Sequence, residues 1–185
     1  MPSNSITCHH YRQLSPGPRY LAQRPTGAKE RETLMEWFIK AFIRASLLWF
    51  AAGIALGVGM AAYPPWIIYR PAHAHMNVAG FLTMLVFGVG YQLLPRLFGH
   101  PLHSRQLAIA HLFLANVGLA GLVAGFLVQP HNSSTSQWVT ASGGVLYALG
   151  VVFWAWNLWQ TFDAADARQR ARDQSDQRPL PTAGE

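Results

Sequence analysis

The sequence predicts an all-α, polytopic membrane protein whose four transmembrane helices form an up-down bundle. Two observations lead to this fold class: long apolar runs, and charged residues that lie mostly outside them. The chain has 185 residues, of which 51% are hydrophobic and 12% are charged. Most charges lie in 1–36 and 163–185. We therefore predict a disordered polar tail over 1–36, a transmembrane domain over 37–162 and a second polar tail over 163–185.

Four apolar runs without charged residues are each long enough to cross a bilayer. A helix needs about 20 residues to cross a hydrocarbon core of roughly 30 Å. The connections between the runs are short, so helices that follow one another should pack as antiparallel neighbours. Glycines are frequent in the runs, which favours close helix packing or leaves room for a flat ligand. The predicted spans cover residues 45–63, 76–94, 107–128 and 138–162.

The lysine and arginine residues predict the orientation, because they favour the cytoplasmic side of a membrane. Basic residues precede the first span, occupy the second loop at Arg96 and Arg105, and follow the fourth span. The first loop contains only Arg70, and the third loop contains none. We therefore predict a bacterial inner-membrane protein with both termini in the cytoplasm. The net charge of +6 comes from scattered residues without organised aromatics, so the predicted surface partner is the lipid bilayer and not nucleic acid.

Two histidines begin the second apolar run, in the stretch "RPAHAHMNVAGF" at 70–81. In an α-helix, residues two apart point about 200° away from each other. His73 and His75 therefore cannot readily bind one ion together from a regular helix. The spacing instead indicates separate roles on opposite faces of the helix, at its outer end.

A neutral imidazole against an apolar wall of small residues suits axial ligation of heme iron. Gly80 provides such a small residue, and Asn77 lies one turn after His73. Arg70 lies just outside the run, where a heme propionate would emerge and pair with it. The alternative is that His73 and His75 are interfacial histidines bonded to the backbone and to Asn77. The residues alone leave both interpretations open.

Two longer stretches resemble a known family. "HAHMNVAGFLTMLVFGVGYQLLPRLFG" at 73–99, followed by "LAIAHLFLANVGL" at 107–119, resembles the tenth and eleventh helices of the catalytic subunit of heme–copper oxidases. The resemblance is greatest to the branch of cbb-type cytochrome oxidases and nitric oxide reductases, and to short four-helix proteins described as oxidase subunit I-like. It extends over about residues 66–160.

In that family the H-x-H ligates two hemes from opposite faces of its helix. The resemblance implies that His73 takes the role of the high-spin ligand and His75 that of the low-spin ligand. A complete catalytic subunit has many more helices, a further low-spin ligand and three copper-binding histidines, and none of these is found in this sequence. The resemblance therefore implies heme b without a complete heme–copper centre.

Residues outside the H-x-H are candidates for a further metal ligand. His111 lies near the cytoplasmic start of the third helix, roughly 15–20 Å in depth from His75 at 1.5 Å per residue, so we expect it to be a packing residue. Better candidates are His131 in the outer loop, Met60, or His75 of a second subunit. The candidate metal ligands are therefore His73, His75 and His131, with copper as the second metal considered.

The leading hypothesis is a b-type heme protein for electron transfer, gas sensing or heme handling, and not an oxidase on its own. Its partners would be heme and either a second copy or a larger respiratory complex. The alternative is a non-catalytic subunit or assembly factor of a respiratory oxidase or reductase that binds copper. A membrane non-heme iron enzyme is a weaker alternative, because "HPLH" at 100–103 and His111 supply too few histidines on the cytoplasmic side.

Overall fold

The computed structural model describes residues 36–176, which form four long helices joined by short connections. Each is long and apolar enough to cross a membrane, and no strand occurs within 36–176. The predicted all-α class with four spanning helices is confirmed. Residues 1–35 and 177–185 lie outside the described part, and with them nearly all of the tail predicted to be disordered. The helices are α1 (Trp37–Ala62), α2 (Pro64–Leu97), α3 (Arg105–Val128) and α4 (Ser133–Asp176).

The helices extend beyond the apolar runs that predict them. The helix α1 begins at Trp37, so the first basic residues, Lys40 and Arg44, are already helical and exposed. The helix α4 has 44 residues. At 1.5 Å per residue it is about 66 Å long, roughly twice the thickness of a hydrocarbon core, so one end must project from the membrane. Much of the predicted polar tail at 163–185 is therefore a helical extension of the fourth span.

Small residues determine how closely the helices approach. The most extensive packing is between α3 and α4, and α1 packs mainly along α2. A Cβ atom on Gly118 would collide with the backbone nitrogen of Tyr147, and one on Gly143 would collide with that of Leu122. These glycines therefore allow backbone contact between α3 and α4, the role that small residues have in membrane helix pairs. The predicted close packing at glycines is found here.

The helix α2 is irregular. It starts with a 3₁₀ turn at Pro64–Tyr69, continues as α-helix over Arg70–His75, widens into a π-helix over Met76–Thr83, and ends as α-helix over Met84–Leu97. Buried residues occur in it at every fourth position. These are Ala72, Met76, Gly80, Met84 and Gly88.

The four-residue spacing of these buried positions explains the π-helical segment. In a straight α-helix with 3.6 residues per turn, positions four apart drift around the axis by about 40° per turn. A π-helix bonds residue i to i+5 and so contains more residues per turn. Alternating the two geometries keeps the stripe from Ala72 to Gly88 facing the neighbouring helices. The sequence predicts a regular helix here, and the structure corrects that prediction with the π-helical segment.

Two polar side chains of α4 form hydrogen bonds with the backbone of the α2–α3 connection. The Asn157 side chain accepts a hydrogen bond from the Ser104 nitrogen at 2.8 Å and donates one to the Ser104 oxygen at 2.7 Å. The hydroxyl of Thr161 accepts a bond from the backbone nitrogen of His103 at 3.0 Å. Buried polar groups in a bundle need such partners, and these bonds fix the level of α4 relative to the loop.

Candidate functional site

The imidazole of His73 lies between α2 and α1. Its Nδ1 is 2.8 Å from the carbonyl oxygen of Gly53, so Nδ1 carries the proton and donates it. The Asn77 amide donates to the carbonyl oxygen of His73 at 2.8 Å. A Cβ atom on Gly57 would lie 2.8 Å from Cε1 of the His73 ring. Gly57 therefore leaves the space that this ring occupies, and Gly53 supplies the carbonyl oxygen that binds its Nδ1.

The imidazole of His75 points to a different neighbour. Its Nδ1 donates to the carbonyl oxygen of Pro71, one turn earlier in the same helix, at 2.8 Å. Its ring centroid is 4.8 Å from that of Phe126 in α3. The prediction that residues two apart serve different faces is confirmed, because His73 contacts α1 while His75 contacts α3. The role of each ring as a heme ligand stays a prediction.

His73 and His75 each have one ring nitrogen, Nε2, without a hydrogen bond within residues 36–176. Because each Nδ1 donates to a carbonyl oxygen, the free electron pair is on Nε2 in both rings. Within residues 36–176, neither Nε2 receives a hydrogen bond, and both side chains are half-buried. Histidines that ligate metals are commonly oriented in this way, with one nitrogen bonded to a carbonyl and the other directed at the metal. The donor atoms present therefore fit axial ligation of heme iron.

His131 and Arg70 lie at the same end of the bundle but outside its core. The Nε2 atom of His131 is 3.4 Å from the hydroxyl of Tyr69, in an exposed contact between the α3–α4 connection and the start of α2. Arg70 follows Tyr69 and is exposed. Within 36–176, no three side chains of His, Cys, Asp or Glu lie close enough to hold a metal ion. The structure thus keeps His73, His75 and His131 apart as separate candidate ligands.

Two rows of residues run along α2, one from His73 through Gly80 and one from His75 through Leu82 and Val86, and they differ in exposure. Below His73, Gly80 is buried: a Cβ atom on it would lie 2.6 Å from Cβ of Trp49, so the space at this glycine is filled by α1. Below His75, the stripe is exposed, with Leu82 at 54% and Val86 at 50%. A flat ligand on His75 would therefore lie against the lipid-facing side of α2.

Some contacts of the site were not identified in the sequence. The Pro71 carbonyl lies four residues before His75, so helical spacing alone could have revealed it. Phe126 and Gly53 are distant in the chain, and no local pattern connects them with the histidines. Phe126 also lines a cavity of about 490 Å³ where α3 ends and α4 begins, together with Gln129, Ser133, Ser136, Gln137, Thr140 and Ala141.

Comparison with known proteins agrees with the resemblance described above. No protein-family model matches the chain. The chain is 33% identical over 124 residues to "Cytochrome c oxidase subunit 1" of Rhodobacter capsulatus, an alignment that covers 54% of the chain and 23% of that protein. It is 27% identical over 128 residues to "Cbb3-type cytochrome c oxidase subunit CcoN1" of Stutzerimonas stutzeri, which covers 56% of the chain and 26% of that protein.

The chain thus spans about a quarter of the length of the relatives that it matches. The predicted resemblance to oxidase subunit I is confirmed in this partial form. The chain is that of a multi-pass membrane protein, with four membrane-spanning helices within residues 36–176, and it is homologous over about half of its length to part of cytochrome c oxidase subunit 1.

Proposed function

We propose that the protein is a b-type heme-binding membrane protein with His75 as the principal axial ligand. The main support is the geometry of that imidazole: Nδ1 donates to the Pro71 oxygen at 2.8 Å, and Nε2 has no hydrogen bond within residues 36–176. The ring is held against Phe126 and remains half-buried at the end of an exposed apolar stripe. A porphyrin on this side would pack its rings against an apolar helix surface through van der Waals contacts.

Other residues at this end would complete the heme site. His73 would be a second ligand or would line the distal side, with its position fixed by Gly53 and Asn77. Arg70 is exposed at the water-facing end of α2, where its guanidinium would pair with a propionate. When bound, heme b supplies one-electron redox chemistry and a site for a diatomic gas.

We propose that the heme-binding protein is located in the bacterial inner membrane. Its role there would be electron transfer, gas sensing or heme handling. The two relatives carry the names of cytochrome c oxidase subunits, which supports work beside or within a larger respiratory complex. His75 is half-buried beside Phe126 of α3. A second axial ligand would come from His131, from Met60, or from His75 of a second copy. The chain would not form a complete heme–copper centre by itself.

A second candidate is a non-catalytic subunit or assembly factor of a respiratory oxidase or reductase that binds copper. It is supported by the names of the two relatives, which are subunits of cytochrome c oxidases. The exposed imidazole of His131, near Tyr69, would be the additional copper ligand.

The optical spectrum of the purified protein tests the proposal. We expect a Soret band that shifts on reduction, and we expect His75→Ala to abolish or displace it. His103→Ala is the matched control, because it removes an exposed histidine of the α2–α3 connection and should leave the spectrum unchanged. Absence of a Soret band, both as isolated and after addition of hemin, would reject heme binding. Copper found by metal analysis in such a protein would favour the second candidate.

A further inference from the structure

The π-helical segment of α2 lies directly beside the histidine pair. It runs over Met76–Thr83, so it begins at the residue after His75. π-helices are rare and occur frequently at functional sites. If the segment changed its register by one residue toward a regular α-helix, one end of α2 would rotate relative to the other by roughly 100°. The directions of His73 and His75 relative to the second half of α2, Met84–Leu97, therefore depend on this segment.

Two side-chain hydroxyls bind carbonyl oxygens within the segment. Thr83 donates from Oγ1 to the oxygen of Val78 at 2.8 Å, across five residues. Tyr147 of α4 donates from its hydroxyl to the oxygen of Ala79 at 3.1 Å. Within residues 36–176, no other side chain from another helix donates to a carbonyl of this segment. Ala79 lies one turn after His75 on the same stripe, so this bond acts next to the candidate ligand.

Tyr147 lies in the closely packed part of the α3–α4 pair. Its backbone nitrogen lies directly against Gly118 of α3, in the closest part of the α3–α4 packing. A hydrogen bond from a well-packed helix pair restrains its partner more than one from a mobile side chain, because less conformational freedom remains to be lost. The α3–α4 pair therefore holds the irregular part of α2 through this phenol.

We propose that Tyr147 is a positioning residue: its bond to the Ala79 oxygen stabilises the π-helical segment and thereby directs His73 toward α1 and His75 toward α3. The effect on heme rests on the function proposed above. The effect on the two imidazoles concerns the chain alone and is measured without heme.

The test replaces Tyr147 with phenylalanine, which removes the hydroxyl and keeps the ring. In detergent-solubilised protein, we expect the amides of Met76–Thr83 to exchange with deuterium roughly two- to tenfold faster, the change expected for the loss of one hydrogen bond. We also expect the ¹⁵N imidazole signals of His73 and His75 to shift. Thr83→Val removes the second hydroxyl at nearly constant shape and should act in the same direction.

Tyr91→Phe is the matched control. It removes a hydroxyl from the same helix, but from the regular half, where it is bonded to His111. It should leave the two imidazole signals unchanged, and it should raise the exchange of Met76–Thr83 no more than its general loss of stability raises the exchange of the other amides. Unchanged exchange, unchanged imidazole signals, or an equal response in the control would each overturn the role of Tyr147.

The heme spectrum separates this inference from the proposed function. A wild-type protein without a Soret band would reject heme binding, while the exchange and imidazole measurements would still decide the role of Tyr147. A wild-type protein with a Soret band and a low-spin electron paramagnetic resonance signal should show a shifted signal in Tyr147→Phe. An identical signal in the variant would overturn the claim that Tyr147 positions the ligand.

Discussion

At the scale of single residues, the contrast between His111 and His75 explains which histidine is available to a ligand. His111 is fully buried, its Nδ1 is hydrogen-bonded to the Tyr91 hydroxyl at 3.1 Å, and its ring lies 4.5 Å from Phe87 and 4.9 Å from Phe42. This is the packing role predicted from its depth in the third helix. His75 is only half-buried and leaves Nε2 open. His111 is therefore enclosed by aromatic side chains, whereas His75 remains accessible to a ligand.

The first prediction concerns the aromatic side chains around His111. Tyr91→Phe should lower the free energy of unfolding by about 1 kcal/mol, because one hydrogen bond is lost. His111→Ala should lower it by roughly 2–4 kcal/mol, because it also leaves a cavity among Phe42 and Phe87. Thermal or denaturant unfolding in micelles measures both changes. His103→Ala, at an exposed position, should stay within about 0.5 kcal/mol of wild type.

The same variants test the site assignment. The heme spectrum should survive in His111→Ala, because His111 lies in the interior and has no contact with His73 or His75. Loss of the spectrum in His111→Ala with unchanged stability would contradict both the packing role and the assignment of His75.

At the scale of helices, neighbouring glycines of α4 have different roles. A Cβ atom on Gly143 would lie 2.7 Å from the oxygen of Gly118 and would collide with the backbone nitrogen of Leu122. A Cβ atom on Gly144 would meet only a side-chain carbon of Leu122, at 3.8 Å. The backbone contact between α3 and α4 therefore depends on one of two adjacent glycines.

The second prediction uses this matched pair. Gly143→Ala should destabilise the protein by roughly 1–3 kcal/mol, because α3 and α4 must separate to admit a methyl group. Gly144→Ala should be close to neutral, since its methyl group makes an ordinary contact. Melting temperatures of the two variants in the same detergent provide the comparison. Equal losses in both would show that helix propensity, and not backbone contact, sets the requirement for glycine.

At the scale of the whole molecule, four spanning helices place the start of α1 and the end of α4 on the same side of the membrane. The basic residues cluster at that side and at the α2–α3 connection, whereas the first connection has only Arg70. His73, His75 and His131 all lie toward the other side. The proposed heme site therefore faces away from the cytoplasm if the positive residues face it.

The third prediction is this orientation. A reporter enzyme that is active only in the periplasm, fused after Glu185, should show no activity. The same reporter inserted in the α3–α4 connection at Asn132 should be active, because that connection lies on the opposite side. The reverse pattern would place the histidine pair at the cytoplasmic face.

The fourth prediction concerns catalysis by the isolated protein. A heme–copper centre needs three histidines for copper beside the heme ligand, and within residues 36–176 no three candidate ligands converge. With a reduced donor, the purified protein should consume neither oxygen nor nitric oxide at a sustained rate. A purified cytochrome oxidase serves as the positive control. Sustained consumption that disappears in His73→Ala would show that a complete active site exists.

Much of the site could be predicted from the sequence, because it depends on local spacing. The separation of His73 and His75 follows from two residues of helical rotation, and the contact of His75 with the Pro71 oxygen spans a single turn. The partners Gly53 and Phe126 could not be predicted, since they come from other helices and their distances depend on how the bundle packs. The π-helical segment escaped prediction, because the four-residue spacing of Ala72 through Gly88 is a spacing of buried positions within a run that is apolar at nearly every position.

By itself, the sequence determined the helical class and the four spans within residues 36–176, because these follow from the length of apolar runs and the rise of a helix. Tertiary structure decided which surfaces those histidines meet. Gly57 admits the His73 ring against α1, Phe126 supports the His75 ring, and Tyr147 bonds to the widened turn beside them. The physical reason is that helix rotation and approach are set by side-chain packing between segments far apart in the chain, which no periodicity within one segment can specify.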